Sequence, residues 1–342
     1  MTVLHVQDQG ASVRRNGERI AVTVVDADSG KRQTRSETPV RELEQVAIYG
    51  NVQLTTPAAA LLLEHDVDIV FLSSYGKFRG RLAPSGSKHA RLRHAQLRLT
   101  GDERKALAVA TRIVQAKLAN QRNTLVRLSE QPGVQAQAVL TRAGQGIEQM
   151  RRQCTRATTL DALRGYEGRA GASYFGAIRA LLHAGWKFGG RKYHPAPDPF
   201  NALLSFGYAL LLKDCSAAIQ IVGLDPYLGC FHELDYGKPS LTLDLMEEFR
   251  PLAVDRPFLQ MALSGAIDPN DFVYTKEPSR PVEIGDVLMP QVIEAYEQAL
   301  KQTVAYGAEE RRETVRRCLE LQARVFGRVA MEQRTDYAGL VA

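Results

Sequence analysis

The chain has 342 residues, 44% of them hydrophobic and 24% charged, a globular composition with enough apolar residues for a sizeable core and two domains. No run of about 18 or more apolar residues points to a membrane span, and the opening MTVLHVQDQG lacks the basic and apolar regions of a secretory signal. The expected location is therefore the cytoplasm, with no membrane partner. The 44 lysines and arginines exceed the 38 acids, for a net charge of +6. Four widely separated cysteines (Cys154, Cys215, Cys230, Cys318) form no CxxC pair, which disfavours a zinc finger or a disulfide framework and suggests buried, inert thiols.

Along the chain, residues 1–84 read as a small β-rich domain. ASVRRNGERIAVTVV alternates around Asn16-Gly17, a two-residue hairpin signal. LEQVAIYG, VDIVFLSS and GKFRGRLAP are further strand-like runs. TTPAAALLLEHD between them predicts a short helix, with Thr56 as N-cap and Pro57 at the first helical position. APSGSKHA is the best linker in the sequence. Beyond it the apolar period becomes helical, so residues 85–342 are expected to form one all-α domain. The first long helix starts near Asp102, and further stretches run over 136–155, 159–186, 199–221, 242–265, 286–304 and 308–330. DFVYTKEPSRPVEI is a candidate hairpin. In the last helix Val315, Cys318, Leu319, Phe326 and Val329 share a face interrupted by Gln322, a pattern that favours packing inside the domain over a coiled coil. The fold class expected is α+β.

The charge is uneven. Lys77, Arg79, Arg81, Lys88, Arg91, Arg93 and Arg98 fall between Ser74 and Thr100 with no acid among them. Such a run suits a polyanion such as nucleic acid, although a solvated linker face has the same composition.

Three segments carry candidate chemistry. In GLDPYLGCFHE, glycines and a proline build a tight loop that fixes where His232 points; a lone histidine beside a phenylalanine is otherwise most often structural. In LTLDLMEEFRP, Asp244, Glu247 and Glu248 are spaced to project toward one side of a helix. Thr242 is a candidate cap there, an end-of-helix role is the better reading for Asp244, and Glu248 is expected to face solvent or Arg250. In RGYEGRAGASYFGAI, Glu167 sits among glycines and alanines. Close helix packing explains the small residues but not the acid, which needs a partner or a metal if buried. Tyr174 lies two turns further along the same face. Together Glu167, His232 and Glu247 offer two carboxylates and an imidazole, a donor set suited to Mn²⁺ or Mg²⁺ and able to support phosphodiester chemistry. Spacing alone makes this triplet a weak signal.

The segments GYEGRAGASYF, PAPDPFNALLSFGYALL, GLDPYLGCFHELDYGKPSLTLDLMEEFRPLAVDR and ASVRRNGERIAV resemble, jointly and in order, the CRISPR-associated protein 1 family of adaptation integrases. The resemblance implies an N-terminal β domain, with a role in dimerisation, joined to a helical catalytic domain. It implies that Glu167, His232 and Glu247 ligate a divalent metal, Mg²⁺ or Mn²⁺, with Asp244, Asn201, Tyr174 and Tyr208 around them. It also implies the activity: a homodimer, working with a small ferredoxin-like adaptation partner, holds a short foreign DNA duplex. The duplex's 3′-hydroxyls are transferred into a repeat array by transesterification, and DNA cleavage is the related reaction. On charge, Lys77, Arg79, Arg81, Lys88, Arg91, Arg93, Arg250 and Arg256 are candidate DNA-backbone contacts. A non-catalytic DNA scaffold of the same fold and a hydrolase of small phosphoesters are the competing expectations.

Overall fold

The computed structural model describes residues 2–25, 31–74, 78–82, 89–130, 136–192, 195–307 and 311–342. The chain divides into two compact units, Met1–Ser87 and Lys88–Ala342, and the fold is mixed α+β, strands first and helices after.

In the first unit the strands are β1 (Thr2–Val6), β2 (Ser12–Asn16), β3 (Arg19–Val25), β4 (Arg32–Pro39), β5 (Leu43–Tyr49), β6 (Gln53–Leu54), β7 (Asp68–Leu72) and β8 (Phe78–Leu82), with helix α1 (Thr56–Glu64) before β7. They form two four-stranded sheets, ordered β4-β3-β2-β6 and β1-β5-β7-β8. Asn16 pairs with Arg19, so the tight turn is Gly17-Glu18 and Asn16 remains in its strand; Gly17 takes φ +59°, where a side chain would be strained. Strand β4, polar along most of its length, lacks the apolar alternation that marks the others. Val13, Ile20, Val22, Val46, Ile48, Leu61, Leu62 and Ile69 bury together in one core. Helix α1 starts one residue earlier than expected: Thr55 is its N-cap, and the Thr55 hydroxyl instead donates to the Val13 carbonyl.

The second unit contains α2 (Ala90–Gly101), α3 (Glu103–Ser129), α4 (Gln137–Gln153), α5 (Leu160–Leu181), α6 (Pro199–Val222), α7 (Ser240–Phe249), α8 (Arg256–Ser264), α9 (Met289–Lys301) and α10 (Val315–Ala330). Hairpin β9 (Phe272–Tyr274) with β10 (Val282–Ile284) lies within the expected DFVYTKEPSRPVEI segment, and β11 (Thr303–Tyr306) with β12 (Arg311–Thr314) forms a second. That second hairpin divides what read as adjoining helices over 286–304 and 308–330. It pairs Val304 with Glu313 and Ala305 with Arg312, an amphipathic ribbon whose short strands are indistinguishable by pattern from helix ends. The stretch 242–265 is likewise divided: a π-helical turn, Arg250–Asp255, separates α7 from α8. Pro251 and Pro257 lack the amide donors that a continuous α-helix would use there.

Asp102 caps α3, its Oδ1 accepting from the Arg104 and Lys105 amides at 3.0 and 3.1 Å. Helix α3 packs against α4, α5 and α7, and α10 packs against α6. Helix α6 is long and apolar enough to cross a membrane by composition, yet most of its residues are buried inside the helical unit. It is a core helix, apolar on nearly every side because it is surrounded. The four cysteines are free and buried.

Candidate functional site

Helices α5 and α7 and the loop between α6 and α7 present the expected residues, and α3 adds one that was not expected. The loop is built first by backbone constraints. Gln96, buried on α2, holds it with three bonds: its Nε2 donates to the carbonyls of Asp225 (2.8 Å) and Leu228 (2.9 Å), and its Oε1 accepts from the Asp225 amide (2.8 Å). At Gly229 a Cβ would lie 2.6 Å from the Ser240 carbonyl carbon and 2.7 Å from Asp244 Oδ2, so only glycine lets the loop lie this close to the start of α7.

Asp244 then organises the loop's end. Its carboxylate accepts the backbone amides of Cys230 (2.5 Å), Phe231 (2.9 Å) and His232 (2.9 Å), and Oδ1 stands 2.7 Å from His232 Nδ1. A carboxylate only accepts, so Nδ1 carries the hydrogen and Nε2 presents its lone pair. Asp244 is fully buried and positions the histidine rather than capping the helix. Helix α7 begins two residues before the proposed cap, at Ser240; Thr242 is buried and meets the Ser216 hydroxyl at 3.2 Å.

On α5, Arg164 lies one turn before Glu167 and donates to the Phe231 carbonyl at 3.1 Å while pairing with Glu233 at 3.0 Å. It ties α5 to the histidine loop. The neighbouring glycines do not serve tight helix packing, since a Cβ at Gly165 or Gly168 would meet nothing within 4 Å. That face of α5 is open beside Glu167.

The two acids converge on a lysine. Lys117 Nζ is 2.5 Å from Glu167 Oε1 and 2.5 Å from Glu247 Oε2. The Arg250 Nε approaches the other Glu247 oxygen at 3.3 Å, and His232 Nε2 faces that same oxygen at 3.8 Å. Burial pushes the Glu247 carboxyl up, but the charges of Arg250 and then Lys117 outweigh it and hold it down at about 2. Burial likewise opposes the Lys117 charge, and Glu247 and Glu167 reverse the effect, holding its ammonium above the ordinary lysine range. Among the described residues no three His, Cys, Asp or Glu side chains are drawn together as a finished metal cluster. The donor set nevertheless fits a hard divalent ion: two carboxylates already share one cation position, and an imidazole nitrogen stands 3.8 Å from one of them.

Lys117 was missed because a lysine within a long amphipathic helix reads as solvent-facing. Its signal is its phase: it lies four residues after Ile113 and four before Gln121, on the buried stripe of α3.

Around this centre the structure places the other candidates as follows. The Tyr208 hydroxyl donates to Asp255 Oδ1 at 2.6 Å, and the Arg250 and Arg191 guanidiniums lie 4.5 and 5.2 Å from its ring centre. Burial, then Asp255, push the Tyr174 hydroxyl well above its usual range. Asn201 donates to Gly190 and Asp198 and accepts from Arg191 and the Lys192 amide. Glu248 neither faces solvent nor meets Arg250: it is buried and accepts from the Tyr337 hydroxyl (2.6 Å), the Leu340 amide (2.7 Å) and Gln322 Nε2 (2.8 Å).

Of the basic candidates, Lys77 and Lys88 lie outside the described residues. Arg79 and Arg91 are exposed, and Arg91 lines a cleft of about 970 Å³ with His94, Arg98, Lys105 and Arg112. Four others meet partners inside the chain: Arg81 pairs with Asp68 at 2.6 Å, Arg93 donates to the Gly223 carbonyl that ends α6, Arg250 is half-buried against Glu247, and Arg256 donates to Gln302.

Residues 4–298 match the family described as CRISPR associated protein Cas1. The chain is 31% identical over 341 residues to CRISPR-associated endonuclease Cas1 1 of Moorella thermoacetica, covering 98% of this chain and 97% of that one. It is 32% identical over 344 residues to a CRISPR-associated exonuclease Cas4/endonuclease Cas1 fusion of Geobacter sulfurreducens, covering 99% of this chain but spanning only 60% of the fusion's length. Its fold resembles that of a casposase solved bound to its integration product, with a TM-score of 0.84 at 22% identity over 99% of this chain and 93% of the casposase. The chain belongs to the CRISPR-associated protein Cas1 family.

Proposed function

We propose that this protein is a metal-dependent DNA endonuclease and integrase of CRISPR adaptation, joining the 3′-hydroxyls of a short duplex to a repeat array by transesterification. One observation carries the reading: Glu167 and Glu247, eighty residues apart in sequence, aim carboxylate oxygens at one cation position, and His232 Nε2 stands 3.8 Å from Glu247. Glu167, His232 and Glu247 would hold a divalent ion, Mg²⁺ or Mn²⁺, whose chemistry is to polarise a phosphodiester oxygen and activate a water or a 3′-hydroxyl.

The chain's own groups prepare that chemistry. Asp244 fixes the imidazole so that Nε2 is the nitrogen offered. Arg250 and Lys117 keep Glu247 ionised. The open glycine face beside Glu167 leaves room for a DNA backbone to approach. Arg79 and Arg91, with Lys77 and Lys88, would supply phosphate contacts that hold DNA without reading its sequence. The names of the Moorella and Geobacter relatives, both endonucleases, support the activity. We further propose that it works in the cytoplasm as a homodimer with a small ferredoxin-like adaptation partner, as the family resemblance implies.

One observation favours a second reading, a DNA scaffold without chemistry: Lys117 already neutralises the carboxylate pair. Strand-transfer assays on supercoiled repeat DNA with Mn²⁺ or Mg²⁺ separate the two. Joining by the wild type and its loss in Glu167→Ala, His232→Ala and Glu247→Ala, each still able to bind duplex, is the expected result. Duplex binding without joining by any of the four proteins would establish the scaffold.

A further inference from the structure

Lys117 is a largely buried lysine, and such a lysine needs a reason to be charged. Its stem runs along the buried stripe of α3, and its nitrogen joins α3 to Glu167 on α5 and Glu247 on α7. The Lys117 side chain is 11% exposed and Glu247 5%, whereas Glu167 and His232 are 24% and 22% exposed. The pair is thus reached from the Glu167–His232 side, with the lysine arriving from the protein side.

Two carboxylates held this close repel each other unless a cation stands between them. Lysine supplies a single charge at that point, and a divalent ion supplies two at the same oxygens. The two cations therefore exclude each other geometrically. An ammonium on a flexible four-carbon stem can leave such a pair by bond rotation, where a guanidinium fork would be held more rigidly.

We propose that Lys117 is a resident counter-cation that competes with divalent metal for Glu167 and Glu247, joining α3, α5 and α7 in the metal-free protein and weakening metal affinity. This rests on the metal-dependent reading given above. It makes Lys117 a positioning residue: loading of the site is coupled to release of one buried ion-pair network.

The test is Mn²⁺ titration of the full chain without DNA, followed by calorimetry and by the Mn²⁺ electron paramagnetic resonance signal, for wild type, Lys117→Met and Lys117→Gln. Thermal unfolding in EDTA and in Mn²⁺ accompanies it. Both variants are expected to bind Mn²⁺ about tenfold more tightly, the scale of one strong charge contact, to melt below wild type in EDTA, and to gain more on adding Mn²⁺. Metal binding by the variants alone would equally support the competition. Unchanged or weaker binding by the variants, with wild-type binding intact, overturns the competition and leaves the metal reading standing. No specific site in any of the three proteins overturns both. Should the substitutions unfold the chain, wild type decides: the Lys117 ammonium resonance in ¹⁵N-edited NMR must lose its protection as Mg²⁺ is added, and its persistence at saturating Mg²⁺ refutes the proposal.

Discussion

Asp244 Oδ1 meets His232 Nδ1 at 2.7 Å, and that contact decides which face of the imidazole the site can use. The same carboxylate also collects three consecutive backbone amides. Asp244→Ala should therefore lower the proposed metal-dependent strand transfer by about 10–100-fold, the usual scale for losing a group that orients a ligand. It should also destabilise the helical unit by about 1–3 kcal/mol for each buried donor left alone. Asp244→Asn, which keeps an acceptor oxygen, should recover much of the stability and little of the activity. Urea denaturation beside a strand-transfer assay checks both halves; equal recovery of the two would contradict an orienting role.

Gly229 sets the path of the same loop. A methyl there must displace the Ser240 backbone or the Asp244 carboxylate, and backbone does not yield cheaply. Gly229→Ala should reduce strand transfer at least as far as Asp244→Asn does. The histidine imidazole signals in NMR should report the loss of the Nδ1 hydrogen bond, and an unchanged signal would mean that the loop absorbs the methyl.

Glu248 anchors residues 337–342 through Tyr337 and Leu340, and accepts from Gln322 on α10. Glu248→Ala takes this acceptor from the Tyr337 hydroxyl and the Leu340 amide, while Gln322 keeps the Tyr337 and Ala338 oxygens, and should cost about 3 kcal/mol. Tyr337→Phe removes two bonds, the one donated to Glu248 and the one accepted from Gln322, and should cost about 1–3 kcal/mol. Both are read from urea midpoints, with hydrogen exchange at residues 337–342 showing whether the segment has come loose.

Burial pushes the Asp255 carboxyl from 3.8 up to about 6, against the lowering pull of Tyr208 and Arg250. Over that window the folded protein holds a proton that the unfolded chain has released. Raising the pH from about 4 to about 6 therefore favours unfolding, by up to about tenfold in the unfolding constant per pH unit. Glu248, which burial raises from 4.5 to about 7, acts in the same direction. The contribution of these two groups should fall across this range, opposed at its acid end by Glu247, and Asp255→Asn, which retains an acceptor for Tyr208, should differ from wild type by up to about one proton in slope below pH 6. Urea curves at fixed pH measure it; identical slopes would show that Asp255 titrates alike in both states.

Much of this was legible in the residues. The change from period two to period 3.6, the Gly17 turn and the buried stripe of α10 are local signals, and local signals survive in a sequence. His232 and the acids of α7 were visible as a cluster, and the family resemblance singled out Glu167 and Glu247. What was hidden depended on contacts between distant segments. Asp244, Glu247 and Glu248 share a stretch of helix, yet one meets the histidine loop, one the α3 lysine and one the end of the chain. No spacing rule distinguishes those three fates. Arg81 and Arg93 read as free positive charge because their partners, Asp68 and the Gly223 carbonyl, lie 13 and 130 residues away.

Asn120, one turn beyond Lys117 on α3, donates to the carbonyls of Glu248 and Leu340, and its Oδ1 accepts the Ala342 amide. This bracket has a consequence for biosynthesis. While the ribosome is still making residues 337–342, Asn120 and Glu248 are already outside the tunnel with their polar groups unanswered. The strand-rich unit can fold early in translation, but the helical unit must wait for these residues before α7 has its full set of hydrogen bonds. A stop codon before Tyr337 should therefore yield a chain prone to degradation, although every residue of the proposed metal site has been made.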